Sequence, residues 1–150
     1  MTTPAVKCGK IFRARIFNDS RRCRYYAVIW YLFEDERLSS AAKEFLDDSA
    51  QNGEQIGISA ISLIEIVCLV EKAKINPETL ERLLRSIEAG NAALVEIPVT
   101  GIIAKRTREV SRDAVPDMPD RIIAATALEL SVPLISRDGK IRASGLATIW

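Results

Sequence analysis

The sequence contains no histidine. That absence excludes a His general base, a Ser-His-Asp triad and a His-ligated metal. Any catalysis is left to carboxylates, Lys, Tyr, Ser or Cys. Cysteine is scarce: Cys8, Cys23 and Cys68 are an odd number without CxxC spacing. Such a set gives neither a disulfide framework nor a zinc knuckle and suits a reducing cytoplasm, the expected location. No apolar run approaches the roughly 18 residues of a membrane span, so no membrane partner is expected. The N-terminus is basic but has no apolar stretch ahead of a small-residue cleavage site, so no secretory signal is expected. GxxxxGK[ST] and GxGxxG loops are both lacking, and with them the support for a nucleotide-cofactor site.

What remains is ordinary in composition: 150 residues, 48% hydrophobic and 27% charged. That suits one domain with a real core and excludes disordered, collagenous and low-complexity classes. The net charge of +1 conceals a split. Residues 1–24 carry Lys7, Lys10, Arg13, Arg15, Arg21, Arg22 and Arg24 against the single acid Asp19, a net +6, while residues 25–150 carry −5. An asymmetry this abrupt first suggests a basic tail for nucleic acid or membrane. Periodicity changes at the same place. Residues 1–24 show no clear period, although Ile11, Phe12, Ile16 and Phe17 allow a short strand. The expected division is therefore an atypical basic segment, 1–24, outside the fold, and a domain over 25–150.

Within that domain, short apolar segments alternate with helical patterns. Tyr26–Phe33 is apolar enough for a buried helix or strand, ended by Glu34-Asp35-Glu36. Ser39 or Ser40 caps a helix to about Asn52, with Ala42, Phe45 and Leu46 on one face and Gly53 as its stop. Ile56–Ser59 reads as a strand and 60–74 as the most apolar helix. Pro77 opens a helix bearing Leu80, Leu83, Leu84 and Ile87, closed by Gly90. Leu94–Val99 reads as a strand, 101–112 as a helix with a basic outer face and 120–130 as a helix. Val132–Ser136 is a strand, Asp138-Gly139 a turn, and Ala147–Trp150 a last strand. Alternation of this kind predicts a three-layer α/β/α fold with a central parallel sheet. Functional groups then gather at the carboxyl ends of the strands.

Three acids occupy costly places. Glu65 lies among apolar neighbours in the helix 60–74, where a lone ionised carboxylate needs a partner or a cation. Ser62, three residues earlier, shares its face and is expected to hydrogen-bond it. Asp120 opens the helix 120–130, and Asp138 follows the strand 132–136. One helix plus one strand separates these two, which returns both to the same sheet edge. Each has a plainer alternative: a helix N-cap for Asp120, a turn residue for Asp138, a half-exposed helix position for Glu65. If the three converge, a divalent cation relieves their repulsion. Oxygen-only ligands favour Mg²⁺ or Mn²⁺, an ion that activates water and stabilises a phosphodiester transition state without histidine.

These residues also carry a family resemblance. Ser59-Ala-Ile-Ser-Leu-Ile-Glu65, Asp117-Met-Pro-Asp-Arg-Ile-Ile-Ala-Ala-Thr-Ala-Leu-Glu-Leu130 and Leu134-Ile-Ser-Arg-Asp138 with Ile141-Arg142 resemble a PIN domain of the VapC toxin type. So does Ala27-Val-Ile-Trp-Tyr-Leu-Phe33 followed by Leu38-Ser39. The resemblance spans about residues 27–150. It implies a PIN-like fold and a Mg²⁺-dependent endoribonuclease of a type II toxin–antitoxin pair. RNA is then the substrate, a VapB-type antitoxin the partner, and a homodimer the expected state. Glu65, Asp120 and Asp138 match three of the family's acids, and Asp117 matches an acid that often precedes the third.

The family's first acid ends the first strand, in a pattern like Asp-Thr-His. Arg24-Tyr25-Tyr26 stands there in this chain. Asp19 is the one substitute, after the segment Ile11–Phe17. Without a first acid, little or no nuclease activity is expected, leaving an impaired PIN-like domain that still binds its antitoxin. Among the basic residues, Lys105, Arg108, Arg121 and Arg137 are RNA-contact candidates, against a solvated helix face with a Lys105–Glu109 pair. Trp30, Tyr31 and Phe33 are expected in the core or against a partner.

A shift of one base across residues 18–27, with suitable synonymous codons, converts the arginine-rich segment into an apolar strand ending in Asp-Thr-His that rejoins at Ala27. A single-base lesion just upstream of the Ala27 codon is therefore expected. Sequencing the gene checks it: if the actual codons do not encode that strand in the alternate frame, the idea is dead.

Overall fold

The computed structural model describes residues 16–17, 26–89 and 93–150, with the backbone alone at Ile16, Phe17 and Tyr26. Ile11, Phe12, Asp19, Arg24, Tyr25 and the helix stop Gly90 lie outside the described residues.

Local chemistry sets each element. Helix α1 covers Tyr26–Leu32 and stops at Glu34, which takes a left-handed φ of 52°. Helix α2, Ser40–Gln51, starts because the Ser39 hydroxyl accepts the Ala42 N–H, and it ends at Gly53 with φ 68°. Strand β2 is Ile56–Ser59 and runs directly into helix α3, Ala60–Glu71. That helix ends three residues before Lys74. Ala73 turns left-handed, and the Ala73 and Lys74 N–H groups bond to the Val70 and Leu69 carbonyls. This is a Schellman closure, with alanine where glycine is cheaper. Helix α4, Pro77–Glu88, has proline in its first turn and the Asn76 side chain as its cap.

Strand β3 is Leu94–Ile97, shorter than the apolar run because Pro98 removes a ladder donor. The expected helix over 101–112 divides. Helix α5 is Gly101–Arg106, and a single 3₁₀ turn, Thr107–Glu109, follows. The Thr107 hydroxyl donates to the Ala104 carbonyl at 2.7 Å, one turn back, where the helix tightens. Helix α6 is Met118–Leu130, capped at Asp117 rather than opened by Asp120, because Pro119 fits a first-turn position. After strand β4, Leu134–Ile135, Asp138 starts a short helix α7, Gly139–Ala143, instead of closing a turn. Strand β5 is Thr148–Ile149.

Strand β1 is Ile16–Phe17, inside the basic segment. It lies mid-sheet, in the order β3-β2-β1-β4-β5. Every pairing is parallel, with Ile16 opposite Gly57 and Leu134, and Phe17 opposite Ile135. Charge and periodicity set all of residues 1–24 apart from the fold, yet two of them fill its middle. The reason is hydrogen bonding. Without β1, the facing edges of β2 and β4 would be buried with unpaired N–H and C=O groups.

Side-chain alternation along the strands divides the core in two. Ile56, Ile58, Leu94 and Ile135 join residues of α1, α2, α3 and α4 on one face. Ile97 and Leu134 join residues of α5, α6 and α7 on the other. The expected three layers around a parallel sheet are thus present. Strand order climbs from β1 to β3, then restarts beyond β1 at β4. The carboxyl ends of β1 and β4 therefore flank the topological switch point, where open α/β sheets place their ligands. Among the described residues no helix is long and apolar enough to cross a membrane.

Leu46 of α2 is wholly buried, whereas Ile64 of α3 is 57% exposed. Leu46→Ala is expected to lower stability by about 3 kcal/mol through the cavity it leaves. Ile64→Ala is expected to stay within about 0.5 kcal/mol of the parent. Urea unfolding of the two variants checks the contrast.

Candidate functional site

Asp138 follows β4 at the switch point and is only 5% exposed. Its Oδ1 accepts the N–H groups of Lys140 at 2.5 Å and Ile141 at 3.2 Å. The Ser136 hydroxyl in turn accepts the Asp138 N–H at 3.1 Å. Two backbone donors and the positive end of α7 thus fix a carboxylate that burial alone would make costly. Asp120 sits in the first turn of α6, 4% exposed, with a buried Oδ1. Asp117 is half-buried and makes no side-chain cap bond to α6. Glu65 is half-buried on α3, with its Oε2 buried. Helices α3 and α6 pack against one another, so Glu65 and Asp120 ride on neighbouring helices.

Among the described residues no three His, Cys, Asp or Glu side chains group as a ligand set for a metal. The donor chemistry still suits a hard cation. It is all oxygen, and buried carboxylate oxygens stand on packed helices. Mg²⁺ keeps several waters and is commonly held by one or two carboxylates. The described residues thus fit a water-rich two-carboxylate site and not a closed cage.

Two hydroxyls belong to the same region. Ser59 ends β2 and precedes α3, and Ser62 lies in that helix's first turn. Both are buried, at 0% and 3% exposure, and neither hydroxyl has a hydrogen-bond partner. The expected Ser62–Glu65 bond is therefore not formed. Ser59 went unnoticed in the sequence, where a serine ending a strand gives no signal of its burial.

The basic candidates separate. Arg121 Nη2 donates to the Thr107 carbonyl at 2.8 Å, tying α6 to the 3₁₀ turn. Arg137 is exposed, its guanidinium 5.3 Å from the centre of the Trp30 ring. Lys105 and Arg108 are exposed and line a hollow of about 430 Å³ with Ile102, Arg106 and Glu109. Glu109 pairs with Arg106 at 2.7 Å, not with Lys105. In the 3₁₀ turn, positions three apart eclipse, which favours Arg106. Arg106 also reaches Glu129 at 2.8 Å. Those two carboxylates, Glu129 foremost, push its guanidinium further up.

The aromatics lie at the edge of one core. Trp30 is buried, 6.1 Å from Trp150, with the Arg37 guanidinium 5.2 Å over its ring. The Tyr31 hydroxyl donates to Asp47 at 3.2 Å, and burial pushes its titration up, with Asp47 adding to the shift. Phe33 is exposed beneath the Arg82 guanidinium, 4.5 Å away. Arg37 grips Asp35 through two side-chain bonds of 2.8 and 2.5 Å. With the Arg37 backbone N–H they lower the Asp35 carboxyl to about 2.

Comparison with known proteins identifies this architecture. The PIN domain family model matches residues 27–145, and the chain belongs to that family. PIN domains are generally nucleases. Solved structures of the same fold include VapBC2 from Rickettsia felis bound to a DNA fragment from their promoter. It is 16% identical with TM-score 0.63, covering 90% of this chain and 96% of that one. FitAcB from Neisseria gonorrhoeae is 19% identical with TM-score 0.55, covering 89% and 95%. A toxin–antitoxin complex from Klebsiella pneumoniae is 23% identical with TM-score 0.60, covering 91% and 96%. No curated protein matches the chain in sequence.

Two outcomes are expected. Asp138→Ala removes the α7 cap and costs about 1 kcal/mol, whereas Asp138→Asn keeps an accepting Oδ1 and costs less. Thermal unfolding checks that order. Arg37→Ala returns the Asp35 midpoint from about 2 toward its ordinary 3.8, followed by NMR titration. The sign is that of a lowered acid. The Asp35 contribution to folding is present above its ordinary range and disappears as pH falls through about 2.

Proposed function

We propose that this chain is the toxin of a VapC-type toxin–antitoxin pair. Its reaction is endonucleolytic hydrolysis of RNA with Mg²⁺ or Mn²⁺. The observation that carries the reading is the burial of Asp120 and Asp138, at 4% and 5% exposure, on a PIN-family fold. Asp138 stands beside the switch point of the parallel sheet. Support for the partner comes from the matching structures described as toxin–antitoxin complexes.

Glu65 and Asp120 would hold the cation, with Asp138 and Asp117 as further acids at the same edge. Asp19 is the first acid in this reading. It lies outside the described residues, two positions after β1 in sequence. The bound ion would supply a nucleophilic water and stabilise charge on the phosphodiester in the transition state. The chain's own residues do the rest. The first turn of α6 presents its positive end to Asp120. Two N–H bonds hold Asp138 at one orientation. Lys105 and Arg108, exposed and outside the Arg106–Glu109 pair, would track the RNA phosphates. Arg137, held over Trp30, is placed one residue from Asp138 to meet the same polyanion. Two such chains would form the homodimer, in the cytoplasm.

A second reading is favoured by one observation: Arg24-Tyr25-Tyr26 replaces the acid that the family carries before α1. In it the chain retains antitoxin binding and has lost cleavage. Incubation of the purified chain with RNA distinguishes the two. The first reading expects cleavage with Mg²⁺ or Mn²⁺, its loss with chelator, and a fall of more than about 100-fold in Glu65→Ala and Asp120→Ala. Intact RNA under every metal condition, with retained antitoxin binding, establishes the second.

A further inference from the structure

Ser62 and Ser59 are polar groups that the fold does not use. Each hydroxyl is buried and makes no hydrogen bond, and Ser59, although it is the N-cap of α3, makes no cap bond. Buried hydroxyls are ordinarily satisfied, and one without an acceptor costs more than alanine in the same place. Neither serine therefore stabilises this conformation through its oxygen. Position explains them better. Ser59, Ser62 and Glu65 follow one another at intervals of three along the start of α3, so they share one helix face. Glu65 is the acceptor one turn beyond Ser62, and its Oε2 is buried on that helix.

We propose that Ser62 is a positioning residue for Glu65. Its hydroxyl rotates to donate to the carboxylate when Glu65 takes up a divalent cation, with Ser59 as the polar floor behind it. The inference rests on the metal-dependent reading above. Its physical basis is that a carboxylate holding a cation loses side-chain freedom. A buried donor one turn away on the same helix face, once rotated to the carboxylate, selects the ligating rotamer and strengthens the grip. The two serines also explain why the first turn of the most apolar helix in the chain is not apolar throughout.

The test is Mn²⁺ titration of the full-length chain, following free Mn²⁺ by electron paramagnetic resonance. The proteins are the parent, Ser62→Ala, Ser62→Thr, Ser62→Cys and Glu65→Ala. Ser62→Ala is expected to weaken Mn²⁺ binding by about 10- to 100-fold. Ser62→Thr keeps the hydroxyl and restores affinity. Ser62→Cys keeps the volume but donates poorly, and follows alanine. In chelator, Ser62→Ala melts no lower than the parent, because its hydroxyl makes no bond in the metal-free fold. A structural role for the hydroxyl predicts a lower melting temperature there and overturns the proposal. Equal Mn²⁺ affinity in parent, Ser62→Ala and Ser62→Cys overturns the proposal while leaving the metal reading intact. A parent that binds no Mn²⁺ overturns both.

Discussion

The fold depends on two residues. Ile16 and Phe17 bridge β2 and β4, and among the described residues no other strand stands between the two halves of the sheet. In a parallel sheet each middle strand must satisfy donors and acceptors on both sides. Here that work falls to Ile16 and Phe17, set in a segment crowded with arginine. The helices α1 to α4 cover one face and α5 to α7 the other, and both cores reach the sheet across this seam. The switch point lies at the carboxyl end of the same seam. The strand that joins the halves therefore also borders the switch point.

At that edge the chain accepts buried charge. Asp138 is stabilised by helix geometry, as an N-cap with two N–H bonds, and Asp120 by the first turn of α6. Each carboxylate thus stands where backbone N–H groups and the positive end of a helix face it. Glu65 has none of this, because it lies beyond the first turn of α3. The proposed role of Ser62 toward Glu65 is therefore one of side chains and not of the helix end.

Much of this was legible in the sequence. The alternation of Ile56–Ser59, Leu94–Ile97 and Leu134–Ile135 with helical segments announced a parallel sheet, because period and length are local properties. Ser39, Gly53 and Pro77 marked helix ends through their own conformational preferences. Ile16 and Phe17 allowed a short strand, but the arginines around them interrupt its pattern, and tertiary pairing with β2 and β4 decides it. Asp117 and Asp120 exchanged cap roles because Pro119 is as acceptable inside a first turn as before it. The partner of Glu109 depended on a 3₁₀ turn, and that turn follows from one hydroxyl bond at Thr107. Serine burial at 59 and 62 is a property of packing, which no local signal carries. Asp120 and Asp138 are buried, and the cost of burying a carboxylate is what made such acids conspicuous in the sequence.

The central proposal is that Glu65 and Asp120 hold one divalent cation, with Asp138 as a further acid toward the carboxyl edge of the sheet. Iron-directed cleavage of the polypeptide tests it most directly. Fe²⁺ introduced at the Mg²⁺ site, with ascorbate and peroxide, generates hydroxyl radicals that cut the backbone near the ion. The account predicts cuts around Ser62–Glu65, Asp117–Asp120 and Ser136–Asp138, all suppressed by excess Mg²⁺. Cuts confined to other segments, or cuts at these positions that Mg²⁺ leaves unchanged, would contradict it.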